Sequence, residues 1–74
     1  MDYNAFFADV AEWINQVNQM AVKHGMESIE FWNWVTSSMG EIGNKYGNSK
    51  LVVKQMAMLF DWLEEVYVEG RNQK

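Results

Sequence analysis

Residues 50–70 read KLVVKQMAMLFDWLEEVYVEG, and this stretch decides the fold class. Its apolar residues recur at intervals of three and four, which is the period of an amphipathic helix and not that of a strand. The preceding Gly47-Asn48-Ser49 has the composition of a helix stop followed by an N-cap, so the spacing predicts a helix from about Lys50 to Glu69. Its main apolar stripe comprises Val52, Met56, Leu59, Phe60, Leu63, Val66 and Tyr67.

A first helix is predicted at the other end of the chain, where positions between Tyr3 and His24 recur at helical spacing. Asp2 or Asn4 can act as its N-cap, and Gly25 can adopt the left-handed conformation at its C-terminus. Its main stripe comprises Tyr3, Phe7, Val10, Ile14, Val17, Ala21 and His24, with Phe6, Trp13 and Met20 beside it.

A second helix is predicted to begin after Ser28, which is a suitable N-cap. Its end is ambiguous because Gly40 and Gly43 each cost about 1 kcal/mol relative to Ala inside a helix. The helix either stops near Met39 or continues to Tyr46, with the glycines allowing another backbone to approach. We favour the longer helix because the apolar positions keep their register. These positions are Trp32, Val35, Met39, Ile42 and Tyr46, with Phe31 beside them.

Three helices with short connections predict an all-α fold, a compact up-down-up three-helix bundle. We place this domain at residues 1–70 and a polar C-terminal tail at residues 71–74. The expected shared core consists of Phe7, Val10, Ile14, Val17, Trp32, Val35, Met39, Leu59, Leu63 and Val66.

The composition of the chain argues against several classes of protein. Ten acidic and six basic residues give a net charge of −4, which disfavours binding to phosphate backbones and anionic lipids. The chain has no Cys, which excludes a disulfide framework and fits a reducing compartment. No apolar run approaches the ~18 residues of a membrane span, and residues 1–4 lack the basic start of a secretory signal. We therefore expect a soluble cytoplasmic protein that does not bind membranes.

The sequence offers little catalytic chemistry. There is one His and no recognisable nucleophile motif. His24 and Glu27 are three residues apart, but we expect His24 to cap or pack against the end of its helix. Asp9 and Glu12 have helix-surface spacing without the Glu-x-x-His motif of a di-iron site, so a solvated face is expected. We predict no enzyme activity, no cofactor, no metal and no small-molecule substrate.

The third helix carries more apolar surface than a helix in a small bundle normally buries. Its apolar arc spans about 200°, whereas a core-facing stripe needs little more than 100°. Leu51, Met58 and Trp62 lie at the edge of this arc, and Trp34 of the second helix also lies outside its main stripe. These residues predict a protein interface, because interfaces are enriched in aromatic residues and Met. The alternative is that so short a chain cannot cover every apolar side chain.

Charges on the third helix oppose its macrodipole, since Lys50 and Lys54 lie in its first turns and acidic residues in its last. In an antiparallel pair of these helices centred near Met58, Lys50 or Lys54 would lie near Glu65 or Asp61 of the other copy. The alternative is that these charges only face solvent, where exposed ion pairs contribute ~0 to 1 kcal/mol.

We therefore expect a non-enzymatic protein–protein interaction module that forms a homodimer through its third helix. The alternative is a small helical nucleic-acid-binding regulator, because Lys45, Lys50 and Lys54 cluster around the second connection. Three lysines without an Arg are a weak footprint, and only Gln55 near the helix start is suited to reading bases.

Overall fold

Three α-helices form most of the chain. The computed structural model describes residues 2–72, with side chains as far as Gly70. The helices are α1 (Tyr3–His24), α2 (Ile29–Lys45) and α3 (Lys50–Asn72), and residues 2–72 contain no strand. The predicted all-α three-helix fold is confirmed. Over the same residues, no helix combines the length and apolar character needed to cross a bilayer.

The helices run up, down and up. The Asp9 carboxylate near the start of α1 contacts Lys45 at the end of α2. At the other end of the bundle, Trp32 near the start of α2 packs against Tyr67 late in α3. Close backbone approaches join α1 to α2 and α2 to α3, whereas within residues 2–72 no Cα of α1 lies within 8 Å of α3. The middle helix α2 therefore holds the other two, in a molecule measuring 43 × 19 × 18 Å.

The N-caps of α1 and α2 follow the sequence prediction. Of the two candidates for α1, Asp2 is the cap, because its carboxylate accepts a hydrogen bond of 3.0 Å from the backbone N–H three residues later. Ser28 caps α2 through the corresponding hydrogen bond of 3.2 Å. Each cap satisfies one of the N–H groups that a helix leaves without an internal partner.

Gly25 ends α1 in a different conformation from the predicted one. Its φ is positive, at 79°, but its ψ of 143° lies outside the left-handed helical region. This extended region at positive φ is essentially restricted to glycine. The Gly25 N–H still donates to the Ala21 carbonyl over 2.9 Å, so the chain leaves the helix in an extended direction toward α2.

The longer alternative for α2 is confirmed, since the helix ends at Lys45 with a Schellman motif. The Asn48 N–H donates to the Gly43 carbonyl over 2.8 Å, and the Gly47 N–H donates to the Asn44 carbonyl over 3.2 Å. Gly47 supplies the required positive φ of 73°. The close approach at Gly43 is made by the Asn48 side chain, since a Cβ on Gly43 would lie 2.6 Å from Asn48 Oδ1.

The helix α3 begins at Lys50 as predicted, but its N-cap and its C-terminal end differ from the prediction. Ser49 precedes the helix and its carbonyl accepts from the Val53 N–H, but its buried Oγ has no hydrogen-bond partner in the described structure and is not the predicted side-chain cap. At the other end the helix passes Glu69 and continues through Gly70 to Asn72. Part of the predicted polar tail is therefore helical, and residues 73–74 lie outside the described range.

Half of the residues that were predicted to form the core are buried in the structure. The predicted residues that are buried are Val10, Val17, Val35, Leu59 and Leu63. Those that pack against the core while partly buried are Ile14, Trp32 and Met39.

Two predicted core residues are wrong, because Phe7 is 46% exposed and Val66 is 37% exposed. In α1 the buried stripe is rotated toward α2, so that Phe6 and Trp13, both placed beside the stripe by sequence, are 0% and 2% exposed. The apolar arc of α1 is wide enough for either edge to face inward, and packing against α2 selects one. The remaining buried apolar residues are Phe31 and Val52.

Candidate interaction surfaces

The predicted apolar anchors of α3 are at the surface. Leu51, Met58 and Trp62 are 36%, 54% and 38% exposed, respectively. At 100° per residue they lie within an arc of about 40° on the helix, spaced along three turns. We call these three residues the α3 flank. They form an apolar strip beside the core that is interrupted between Leu51 and Met58, where Lys54 and Gln55 lie in the intervening turn.

The exposed side of α1 enlarges this strip. Phe60 and Tyr67, on the opposite edge of α3 from the α3 flank, contact Trp32 of α2. The α3 flank must therefore face away from α2 and border α1. On α1, the side chains of Tyr3 and Phe7 are 60% and 46% exposed and lie on the edge opposite to the residues that contact α2.

Tyr3 and Phe7 therefore border the same side of the bundle as the α3 flank, where α1 and α3 make no close backbone approach within residues 2–72. We call this set the open side; it comprises Tyr3, Phe7, Leu51, Met58 and Trp62. Sequence reasoning found its α3 half and missed its α1 half, because it assigned Phe7 to the core.

Trp34 does not join this surface. Its ring stacks on that of Trp13 with a centroid separation of 5.9 Å and an interplanar angle of 8°, and it is half-buried between α1 and α2. The Trp13 Nε1–H donates to Ser38 Oγ over 2.7 Å, and Ser38 Oγ in turn donates to the Trp34 carbonyl over 2.7 Å. The structure therefore places Trp34 in a structural aromatic pair, away from the α3 flank.

The predicted charged residues lie along the edge of α3 next to the α3 flank. Lys50, Lys54, Asp61 and Glu65 are all exposed. Within the described part of the chain none of the four forms an ion pair. They project within about 60° of one another, with both cations in the first turns of the helix, Asp61 at its middle and Glu65 about one turn beyond. The edge therefore carries separated basic and acidic ends.

A polar cluster that sequence reasoning missed joins α1 to the end of α2. The Asp9 carboxylate accepts hydrogen bonds from Lys45 Nζ over 2.8 Å and from the Tyr46 hydroxyl over 2.5 Å. The hydrogen bond from Lys45, together with that from Tyr46, holds the pKa of Asp9 below its ordinary value. The bonded carboxylate raises the pKa of Lys45 and of the Tyr46 hydroxyl. Asp9 is thus a structural link and not the solvated carboxylate predicted from sequence.

A second groove lies between α2 and α3. Trp32 packs steeply against Phe60 and Tyr67, with ring centroids 5.7 and 6.0 Å apart and interplanar angles of 64° and 81°. The Trp32 indole is fixed by its N–H, which donates to the Met26 carbonyl over 2.7 Å. The three rings border an open cavity of about 410 Å³, which we call the aromatic groove; its lining residues are Trp32, Thr36, Phe60, Glu64, Tyr67 and Val68.

Within residues 2–72, no three acidic or histidine side chains converge as a metal site requires. His24 lies exposed in the last turn of α1. In comparisons with known proteins, no family model, no curated protein and no solved structure matches the chain.

Proposed function

We propose that this chain is a non-enzymatic protein–protein interaction module that self-associates through its open side. The observation that supports this proposal is the group of partly exposed apolar residues in the α3 flank, with the exposed side chains of Tyr3 and Phe7 on α1. Grouped aromatic and Met side chains of this size are typical of interface centres. A cytoplasmic location, consistent with the absence of cysteine, belongs to the same proposal.

The surface area fits an interface of ordinary size. The accessible surface of the chain is 5143 Å², against about 4,700 Å² for a typical folded monomer of this mass. A standard interface removes about 800 Å² from each partner, which is roughly one sixth of this surface. The five residues of the open side would form the apolar centre of such an interface, and the charged residues of α3 beside them would form its rim.

The charge pattern of α3 favours a second copy of this chain as the partner that binds the open side. In an antiparallel pair of α3 helices centred on Met58, position 54 of one copy faces position 62 of the other. Lys54 then lies within one turn of Asp61 and Glu65 of the other copy, and a two-fold axis repeats the contact. The separated basic and acidic ends of α3 are thus complementary to themselves, which offsets their unfavourable order along the helix dipole.

The alternative of nucleic acid binding has less support in the geometry. Lys45 of the predicted basic cluster is engaged by Asp9, which leaves Lys50 and Lys54 at the surface of that connection. We therefore propose protein binding over nucleic acid binding. Retention of the chain by DNA that weakens steeply with added salt would support the alternative.

The first test is the oligomeric state by sedimentation velocity across the micromolar range. The wild type is expected to dimerise. Met58→Glu places two like charges at the two-fold axis and should give a folded monomer. Val53→Glu is the matched control: Val53 is 52% exposed on the same helix but outside the α3 flank, so this variant should dimerise like the wild type. A monomeric wild type at high micromolar concentration contradicts the proposal.

A charge exchange tests the antiparallel register. Lys54→Glu alone and Glu65→Lys alone each place like charges opposite one another and should weaken the dimer. The double variant restores opposite charges at both symmetric contacts and should recover most of the lost affinity. If the double variant dimerises more weakly than both single variants, the antiparallel arrangement is contradicted. The two substitutions would then weaken the dimer independently, which shows that the two positions do not face each other.

A further inference from the structure

The aromatic groove is distinct from the open side. Phe60 and Met58 project on nearly opposite sides of α3, about 160° apart. The groove lies where α2 meets α3, and its walls are the rings of Trp32, Phe60 and Tyr67, all partly exposed. The rings pack edge to face against one another and border the open cavity of about 410 Å³.

The rim of this groove is acidic. Glu64 is exposed and lies along α3 between Phe60 and Tyr67, one turn from each. No basic side chain is present among the described residues that line the groove. An adjoining shallow groove shares Glu64 and Val68 and adds further carboxylates; its lining residues are Asp61, Glu64, Glu65, Val68 and Glu69.

Aromatic rings and a carboxylate together favour a cation that has a flat or apolar surface. A guanidinium group stacks on aromatic rings and accepts bidentate pairing with a carboxylate, whereas a phosphate or carboxylate ligand would be repelled. We propose that the aromatic groove binds an arginine side chain of a basic peptide segment in a partner protein, with Glu64 as its counter-ion. This binding goes beyond self-association and does not require it.

A matched pair of peptides tests the proposal. One is an acetylated, amidated peptide with a central arginine flanked by glycine and lysine, and the other has citrulline in place of arginine. Citrulline keeps the shape and removes the charge. Titrations of the ¹⁵N-labelled protein are followed at the Trp32 indole N–H and at the amides of Thr36 and Val68. The arginine peptide is expected to bind about three- to thirtyfold more tightly, from a cation–π contact and one exposed ion pair.

Variants of the protein locate the site. Glu64→Gln should weaken binding of the arginine peptide about two- to fivefold, whereas the control Glu30→Gln, at an exposed site on α2 outside the groove, should not. Phe60→Leu should weaken binding similarly, and Phe7→Leu should leave it unchanged. Equal binding of the arginine and citrulline peptides, or equal binding by the Glu64→Gln and Glu30→Gln proteins, overturns the proposal.

The same titration on the Met58→Glu protein separates this proposal from self-association. Binding to the aromatic groove should be retained in that monomer. Loss of peptide binding in Met58→Glu would contradict the assignment of the peptide to the aromatic groove, because the two surfaces lie on opposite sides of α3. A monomeric wild type that binds the arginine peptide would contradict the proposed dimer and leave this inference intact.

Discussion

Two adjacent phenylalanines in α1 provide a direct test of which face of the helix is buried. Phe6 is 0% exposed, and its ring contacts that of Tyr46 with centroids 5.2 Å apart. Replacing a fully buried Phe by Ala costs about 3–5 kcal/mol, since apolar contact is lost and a cavity remains. Phe7 is 46% exposed, so Phe7→Ala loses roughly half of the 1.5–3 kcal/mol that full burial contributes, or about 1 kcal/mol.

The assay is urea unfolding followed by circular dichroism at 222 nm, a wavelength sensitive to helix content. A domain of this length has a total stability of about 4–11 kcal/mol, so Phe6→Ala is expected to remove a large part of it. Leucine at each position gives smaller losses in the same order and keeps the comparison measurable if Phe6→Ala fails to fold. Both series are made on Met58→Glu, so that self-association does not add to stability. Equal losses of unfolding free energy at the two positions would refute the finding that Phe6 is buried and Phe7 is exposed.

Four further substitutions have expected outcomes that chemical unfolding can check. Ser38→Ala removes the acceptor of the buried Trp13 N–H and should cost about 1–3 kcal/mol, and a loss below a few tenths would contradict the hydrogen bond. Gly25→Ala should destabilise by about 1–3 kcal/mol because of its backbone conformation, while Gly40→Ala, where the added Cβ meets open space, should stabilise by up to about 1 kcal/mol. Because the folded pKa of Asp9 lies below its ordinary 3.8, its contribution is present above that pH and is lost as the pH falls through the folded pKa. The stability advantage of the wild type over Asp9→Asn should therefore be constant near neutral pH and decrease in acid, and a pH-independent difference would contradict the link.

The helices and most of their ends could be predicted from the sequence because the determining interactions are local. Asp2 and Ser28 bond to N–H groups three residues away, and the Gly47 turn closes on carbonyls within the preceding turn. Ser49 is the exception, since it has the right residue type at the right place but does not cap α3. Residue type indicates that a cap is possible, but the path of the incoming chain decides whether the side chain reaches the N–H groups.

The orientation of α1 about its own axis could not be predicted from its sequence. Phe6, Phe7, Trp13 and Ile14 all lie in one wide apolar arc, and periodicity alone does not say which edge is inside. The choice depends on α2, where Ser38 accepts from the Trp13 indole. That pairing joins residues 25 positions apart and leaves no local sequence signal. The link from Asp9 to Tyr46, across 37 positions, was missed for the same reason.

The order of packing in this bundle explains where its uncovered apolar surface lies. The middle helix α2 is in close backbone contact with both neighbours, so its buried stripe, including Phe31 and Val35, is covered from two sides. The outer helices α1 and α3 each approach α2 closely, whereas within residues 2–72 no Cα of α1 lies within 8 Å of α3, although both helices contribute side chains to the core. Apolar side chains on their shared side are therefore less covered than those that face α2. Phe7 and the α3 flank lie on that side, which is why we propose that a helix of a second copy packs there.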